Sequence, residues 1–144
     1  MITIDRIQKD DLKALALLLK ELSGSESNYE MMKSTFELTI NNDNYILFGA
    51  WHDTILAGSL MCIICHDLVG ECKPFAVLEN VIVLHDKRGR GIGKQMIWAI
   101  KRICKEKNCS YIMLASGAHR KPAHAFYESL GYKVDKVEGF KKYL

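Results

Sequence analysis

Apolar residues along this chain recur at two spacings, and the switches between them mark out the elements. Alternation over Ile2-Thr3-Ile4-Asp5-Arg6-Ile7 predicts a first strand. Asp10 is placed to cap a helix whose apolar face is Leu12, Leu15, Ala16, Leu19 and Leu22. Ser23 to Ser27 is a polar linker, and Ser27-Asn28-Tyr29-Glu30 has capping-box spacing. The helix it opens carries Met32, Phe36 and Ile40 on one side and stops at Asn41 to Asn44. Tyr45 to Trp51 and Thr54 to Cys65 read as an antiparallel hairpin across His52-Asp53, with a bend or bulge at Gly58-Ser59. After a loop from Asp67 to Pro74, Phe75 to Leu84 is the next strand. A helix with Ile92, Met96, Ala99, Ile100 and Ile103 on one face runs to about Lys107. Tyr111 to Ala115 is a short buried strand. Pro122 suits the first turn of a last helix, and Gly131 suits its stop. Tyr132 to Val137 and Phe140 to Leu144 pair as a closing hairpin across Glu138-Gly139.

One junction in this series carries chemistry. The β-branched run Val81-Ile82-Val83 leads into Arg88-Gly89-Arg90-Gly91-Ile92-Gly93-Lys94, which opens a helix. A glycine-rich turn at a helix start points several unpaired N–H groups one way, and the helix dipole adds partial positive charge. That combination suits a phosphate or pyrophosphate, and Arg88, Arg90 and Lys94 add charge around it. The bland alternative is a plain strand-to-helix turn with solvated basic residues. The spacing is not the dinucleotide fingerprint, because position 88 is not glycine. It also lacks the Gly-Lys-Ser/Thr ending of a triphosphate loop.

Composition narrows the ligand. The chain has 144 residues, 49% of them apolar, which fits one domain with a sizeable core. A net charge of +3 is too mild for a dedicated nucleic-acid binder and adequate for a ligand with several phosphate charges. No apolar run reaches membrane-spanning length, and the first residues lack a basic-then-apolar signal. Five cysteines, an odd number, argue for reduced thiols and a cytoplasmic setting. Cys62 and Cys65 lie three apart on a predicted strand. They therefore face opposite sides and are expected to be structural, with no metal site.

The spacing Arg88-x-x-Gly91-x-Gly93 resembles the pyrophosphate-binding motif of the GNAT superfamily of N-acetyltransferases, which is Arg or Gln, two residues, Gly, one residue, then Gly or Ala. The segment Ala123-His124-Ala125-Phe126-Tyr127-Glu128-Ser129-Leu130-Gly131-Tyr132 is similar to that family's Ala-x-x-x-Tyr-x-x-x-Gly-Phe/Tyr helix. The predicted order β-α-α-β-β-β-α-β-α-β, with a further strand closing it, is the family's order. The resemblance implies an α/β (α+β) fold: a mixed, mostly antiparallel sheet with helices on both faces, forming one N-acetyltransferase domain over residues 1–144.

The resemblance also implies roles. Acetyl-coenzyme A is the cosubstrate, held at its pyrophosphate by Arg88, Gly89, Arg90, Gly91, Ile92, Gly93 and Lys94. The main chain of Val81, Ile82 and Val83 pairs with the pantetheine arm and polarises the acetyl carbonyl. Tyr127 gives a proton to the departing thiolate; its alternative is a packed aromatic beside Phe126. Arg120 stands where many members have an asparagine that contacts the pantetheine arm, so it is assigned to the cofactor with that contact in question. Ala115 stands where some branches, including the ribosomal-protein N-terminal acetylators, carry a glutamate. Dimers are common in the family. Its first two helices often border the acceptor site, although a Met and aromatic stripe such as Met32 and Phe36 is core before it is a pocket.

Glu79 is the candidate base from its own position. It lies two residues before Val81, which places both on one strand face with Asn80 on the other. It is expected to act directly or through water; the alternative is a partly exposed or paired carboxylate. His119 and His124 read as surface or coenzyme-phosphate contacts. The expected reaction is acetyl transfer to a primary amine by direct attack, with a small molecule favoured as acceptor. The rivals are a protein N-terminal or lysine acetyltransferase, and a coenzyme A-binding sensor without turnover.

Overall fold

The computed structural model describes residues 1–134 and 138–144. The chain divides into two compact units, Met1–Met113 and Leu114–Leu144. The first holds strand β1 (Ile2–Arg6), helices α1 (Leu12–Ser23) and α2 (Tyr29–Ile40), strands β2 (Tyr45–His52), β3 (Ile55–Cys65) and β4 (Phe75–Val83), and helix α3 (Ile92–Glu106). Strand β5 (Ile112–Leu114) follows, and helix α4 (Lys121–Ser129) belongs to the second unit. The sheet runs β1-β2-β3-β4-β5 in spatial order. The pairs β1·β2, β2·β3 and β3·β4 are antiparallel. The expected mixed, mostly antiparallel sheet is therefore present.

The helix starts differ in detail from expectation. A 3-10 turn, Lys9–Asp11, precedes α1, and the cap is made by Gln8 and Asp11 rather than Asp10: the Gln8 amide donates to Asp11 Oδ2 at 2.7 Å. Helix α2 is capped by Asn28, whose Oδ1 accepts from the Met31 amide at 3.2 Å. In both cases several polar residues in a row can cap, and the backbone selects the one already extended.

Two bulges set which side chains face which helices. Opposite β2, Ala50 pairs with Gly58 but Trp51 with Leu56, so Ala57 is the extra residue, next to the glycine where a bulge was expected. Opposite β3, Ile82 pairs with Ser59 but Glu79 with Met61, so β4 carries one residue too many at Asn80-Val81. Asn80 has φ 54°, a left-handed conformation that asparagine tolerates better than branched residues. Each bulge reverses the alternation that follows it. Leu56 and Ile82 thus join Ile7, Leu12, Leu15, Leu18 and Phe36 in one core cluster under α1 and α2. A Cβ at Gly58, one residue after the first bulge, would meet Met96 and Ile92 of α3. Leu60 and Cys62 share the Gly58 face.

Beyond α4 the expected closing hairpin is not present in the described residues. Residues 132–134 and 138–144 carry no strand, and 135–137 lie outside the described set. Phe140, Tyr143 and Leu144 are exposed. An alternating pattern becomes a strand only where a neighbouring edge accepts its main chain, and Lys141 and Lys142 favour solvent.

Candidate active site

In the first unit the candidate residues lie on one continuous path from β4 to α3. Leu84 follows β4, and its amide donates to the Ala57 carbonyl of β3 at 2.8 Å. Main-chain groups alternate sides along a strand, so the amide and carbonyl of Val83 point to the opposite, outer edge. Those of Ile82 point back at β3, where Ile82 pairs with Ser59. Of the three residues expected to hold a ligand arm, Ile82 therefore has its main chain engaged within the sheet, and Val83 turns its own outward, where its carbonyl accepts from Arg88 Nε and its amide faces the outer edge. β5 is joined at the beginning of β4, where Ala76 donates to Tyr111 at 3.0 Å and Ser110 to Pro74 at 2.8 Å.

A 3-10 turn, His85–Lys87, leads to the glycines. Gly89 and Gly91 have φ of 76° and 80°, and Gly91 is the N-cap of α3. A side chain there would meet no steric obstacle in space, so the demand for glycine is conformational. The first helical hydrogen bond runs from Gln95 N–H to the Gly91 carbonyl at 3.0 Å. The amides of Ile92, Gly93 and Lys94 lie ahead of it and have no intrahelical acceptor. Arg90 and Lys94 are exposed beside them; Lys94 Nζ sits 4.5 Å from the Trp98 ring centre. These groups fit a diphosphate: amides without an intrahelical acceptor, a helix N-terminus and two exposed cations.

The Arg88 side chain turns back toward the end of β4. Its Nε donates to the Val83 carbonyl at 3.0 Å, and its Nη2 lies 4.0 Å from Glu21 Oε1. The same Glu21 oxygen accepts the His85 amide at 2.7 Å. Glu21 of α1 thus latches the end of β4 and the start of the turn. Nothing in the sequence pointed to it, because the contact spans 64 positions.

Glu79 is exposed in β4, and the bulge corrects its facing. Glu79 and Ile82 pair with Met61 and Ser59, two β3 residues on one face, so Glu79 shares its face with Ile82 and not with Val81. Beside it, Asn80 and Ser59 line a cavity of about 390 Å³ bordered by α1 and α2. An asparagine interrupting an apolar strand was the available signal for this bulge.

In the second unit Tyr127 is buried, and its ring makes edge contacts with Phe126 and Tyr132. Burial raises its pKa above the ordinary 10.0, partly opposed by the positive charge of Arg120. Arg120 is the N-cap of α4 and Tyr127 follows two turns later, so they share a helix face. His124 Nε2 donates to the Gly117 carbonyl at 2.8 Å and ties the loop before α4 to the helix. The Ser116 hydroxyl is buried without a partner among the described residues.

A glycine turn feeding a helix start from a strand with an outward-facing main chain has the form of a diphosphate-binding turn. The chain belongs to the acetyltransferase (GNAT) family, whose model matches residues 12–132, and it is an N-acetyltransferase. It is 28% identical over 109 residues to aminoglycoside N(6')-acetyltransferase type 1 of Salmonella typhimurium, covering 74% of this chain and 75% of that protein. Among solved structures it is similar to a putative acetyltransferase from Agrobacterium tumefaciens, with TM-score 0.91, 27% identity and 99% of each chain covered. It is also similar to an aminoglycoside N-acetyltransferase in complex with CoA, with TM-score 0.83 and 25% identity, covering 99% of this chain and 95% of that one. Among the described residues no helix is long and apolar enough to cross a membrane.

Proposed function

We propose that this chain moves the acetyl group of acetyl-CoA onto a primary amine of a small molecule by direct attack, with no covalent acyl-enzyme. The observation that carries the reading is the run of amides at Ile92, Gly93 and Lys94 that have no intrahelical acceptor, which follows a strand whose last residue turns its main chain outward. Bound acetyl-CoA supplies the activated acetyl thioester. The amides of 92–94, with Arg90 and Lys94, hold the diphosphate and so fix where the acyl end falls. Main-chain N–H at the outer edge of β4 stabilises charge on the acyl oxygen, a contact of this kind being worth ~3 kcal/mol. Glu79 takes a proton from the acceptor's ammonium, directly or through water, so that the neutral amine attacks the thioester carbonyl. Tyr127, kept protonated by burial, gives its proton to the departing sulfur. Arg120 lies on the same α4 face and offers positive charge to the cofactor. The curated and structural relatives named as aminoglycoside acetyltransferases support a small-molecule amine over a protein amine. Where the acetylation takes place in the cell is taken as the cytoplasm, given the free cysteines.

Acetyl-CoA at about 100 times its dissociation constant is expected to stabilise the protein by ~2.7 kcal/mol, read as a rise in Tm. Gly91→Val removes that rise. Tyr127→Phe and Glu79→Gln keep it and lower turnover by roughly 100-fold, read as free thiol released with an accepted amine. Unchanged turnover in both variants overturns the two roles, and no response of the native chain to acetyl-CoA overturns the reading.

A further inference from the structure

The cavity beside Glu79 states what body the acceptor has. Its apolar wall is built from Leu15, Leu19, Met31, Met32 and Leu47, and its floor from Ser59, Met61 and Asn80. None of the residues lining it is charged. Its remaining polar groups, such as Ser27 and Thr35, are neutral. The volume, about 390 Å³, is that of a pocket for one small molecule.

Glu79 apart, the carboxylates of α1, α2 and their linker are engaged in ion pairs away from the cavity lining. The segment from α1 through α2 contains Glu21, Glu26, Glu30 and Glu37, and each stands in an ion pair of the chain itself. Their partners are Arg88 at 4.0 Å, Lys20 at 3.0 Å, Lys33 at 2.9 Å and Lys9 at 3.6 Å. A ligand with several ammonium groups would have to desolvate them against thioether and hydrocarbon, with no counter-charge on the wall. A ligand with one amine on an apolar body needs only one polar end. That end exists at the floor, where the β4 bulge places Asn80 next to Glu79, and Ser59 and Met61 line the same cavity.

We infer that the acceptor is a primary amine carried on a single apolar body, of aryl-alkyl or short alkyl type, and not a polycationic amino sugar. This rests on the acetyl-transfer reading above and names its substrate class. The body packs among Met31, Met32 and Leu19, where thioether side chains adapt to its shape. The amine lies at the Asn80 end, within the strand that carries Glu79. The flexible methionines favour a range of related bodies over one exact shape.

Phenethylamine and kanamycin are the probes, each offered with acetyl-CoA to the full chain while thiol release is followed. kcat/KM for phenethylamine is expected to exceed that for kanamycin by at least tenfold. Thr35→Trp, an exposed position on the cavity wall, is expected to raise KM for phenethylamine at least tenfold and to leave acetyl-CoA binding unchanged. Calorimetry of phenethylamine into the CoA-loaded protein is expected to show binding that the variant loses. Kanamycin used as efficiently as phenethylamine, or no phenethylamine binding to the loaded protein, overturns the acceptor class and leaves the acetyl-transfer reading intact. No binding or consumption of acetyl-CoA with any amine overturns the underlying reading, and the acceptor assignment with it.

Discussion

The two faces of the sheet carry comparable apolar sequence and end in different states. On the α3 face, Leu60, Leu78, Met96, Ile97 and Ile100 are each at most 1% exposed. On the α1–α2 face, α1 buries Leu12, Leu15 and Leu18, but α2 buries Phe36 alone and leaves Met31 61% exposed. The difference lies in what fills the stripe. Helix α3 offers isoleucine and methionine at helical spacing over 15 residues. Helix α2 interleaves its apolar positions with Thr35 and Thr39, which are short and line the cavity instead of closing it. A closed face supports the glycine turn that opens α3. An incompletely closed one leaves a cavity beside β4.

Truncation on each face should show this contrast most visibly. Ile100→Ala removes packed atoms from a site that cannot collapse, and unfolding free energy is expected to fall by about 2–5 kcal/mol in a urea titration. Met31→Ala, at the cavity rim, serves as the internal control and is expected to change it by about 0.5 kcal/mol or less. Equal losses would mean that the two faces are packed alike.

A smaller effect tests the bulge that joins the open face to the strand. Asn80 holds φ 54°. Asn80→Val places a β-branched residue in the left-handed region and is expected to cost roughly 1–2 kcal/mol, whereas Asn80→Gly is expected to be near neutral. The same titration reads both. A neutral valine would show that β4 regains regular pairing at no cost.

Much of the fold was legible because it is periodic. Five strands and four helices fell where the spacing placed them, and Gly89 and Gly91 were readable as turn residues because positive φ selects glycine. Parity across the bulges was not legible. Simple alternation put Glu79 with Val81, and one extra residue in β4 moved it to the side of Ile82. The cavity was invisible for another reason: Met32 and Leu19 have the same spacing whether they face a side chain or open space. Glu21 was missed because an ion pair with Arg88 follows from tertiary contact and has no local pattern. The closing hairpin is absent from the described residues, whose pattern is weakest around two consecutive lysines after Phe140.

The smallest expected effect separates the faces by titration. The residues lining the open cavity include no ionisable group, while the sealed face has thiols at its far end. Cys62 of β3 contacts Cys104 of α3, and this contact together with burial pushes the Cys62 thiol well up. Burial, and then the neighbouring Cys104, push the Cys109 thiol up to about 11 from an ordinary 9.0. Below pH 9 the Cys109 thiol is protonated in both folded and unfolded chains and contributes no pH dependence. Between 9 and about 11 the unfolded chain releases the proton first, so the unfolded state gains and stability falls as pH rises. Tm measured under reductant is therefore expected to decline through this window. Cys109→Ser is expected to flatten the Cys109 share of the decline, and Thr35→Val on the cavity wall to leave its slope unchanged. A slope that Thr35→Val alters and Cys109→Ser does not would move the alkaline sensitivity to the open face and remove the contrast.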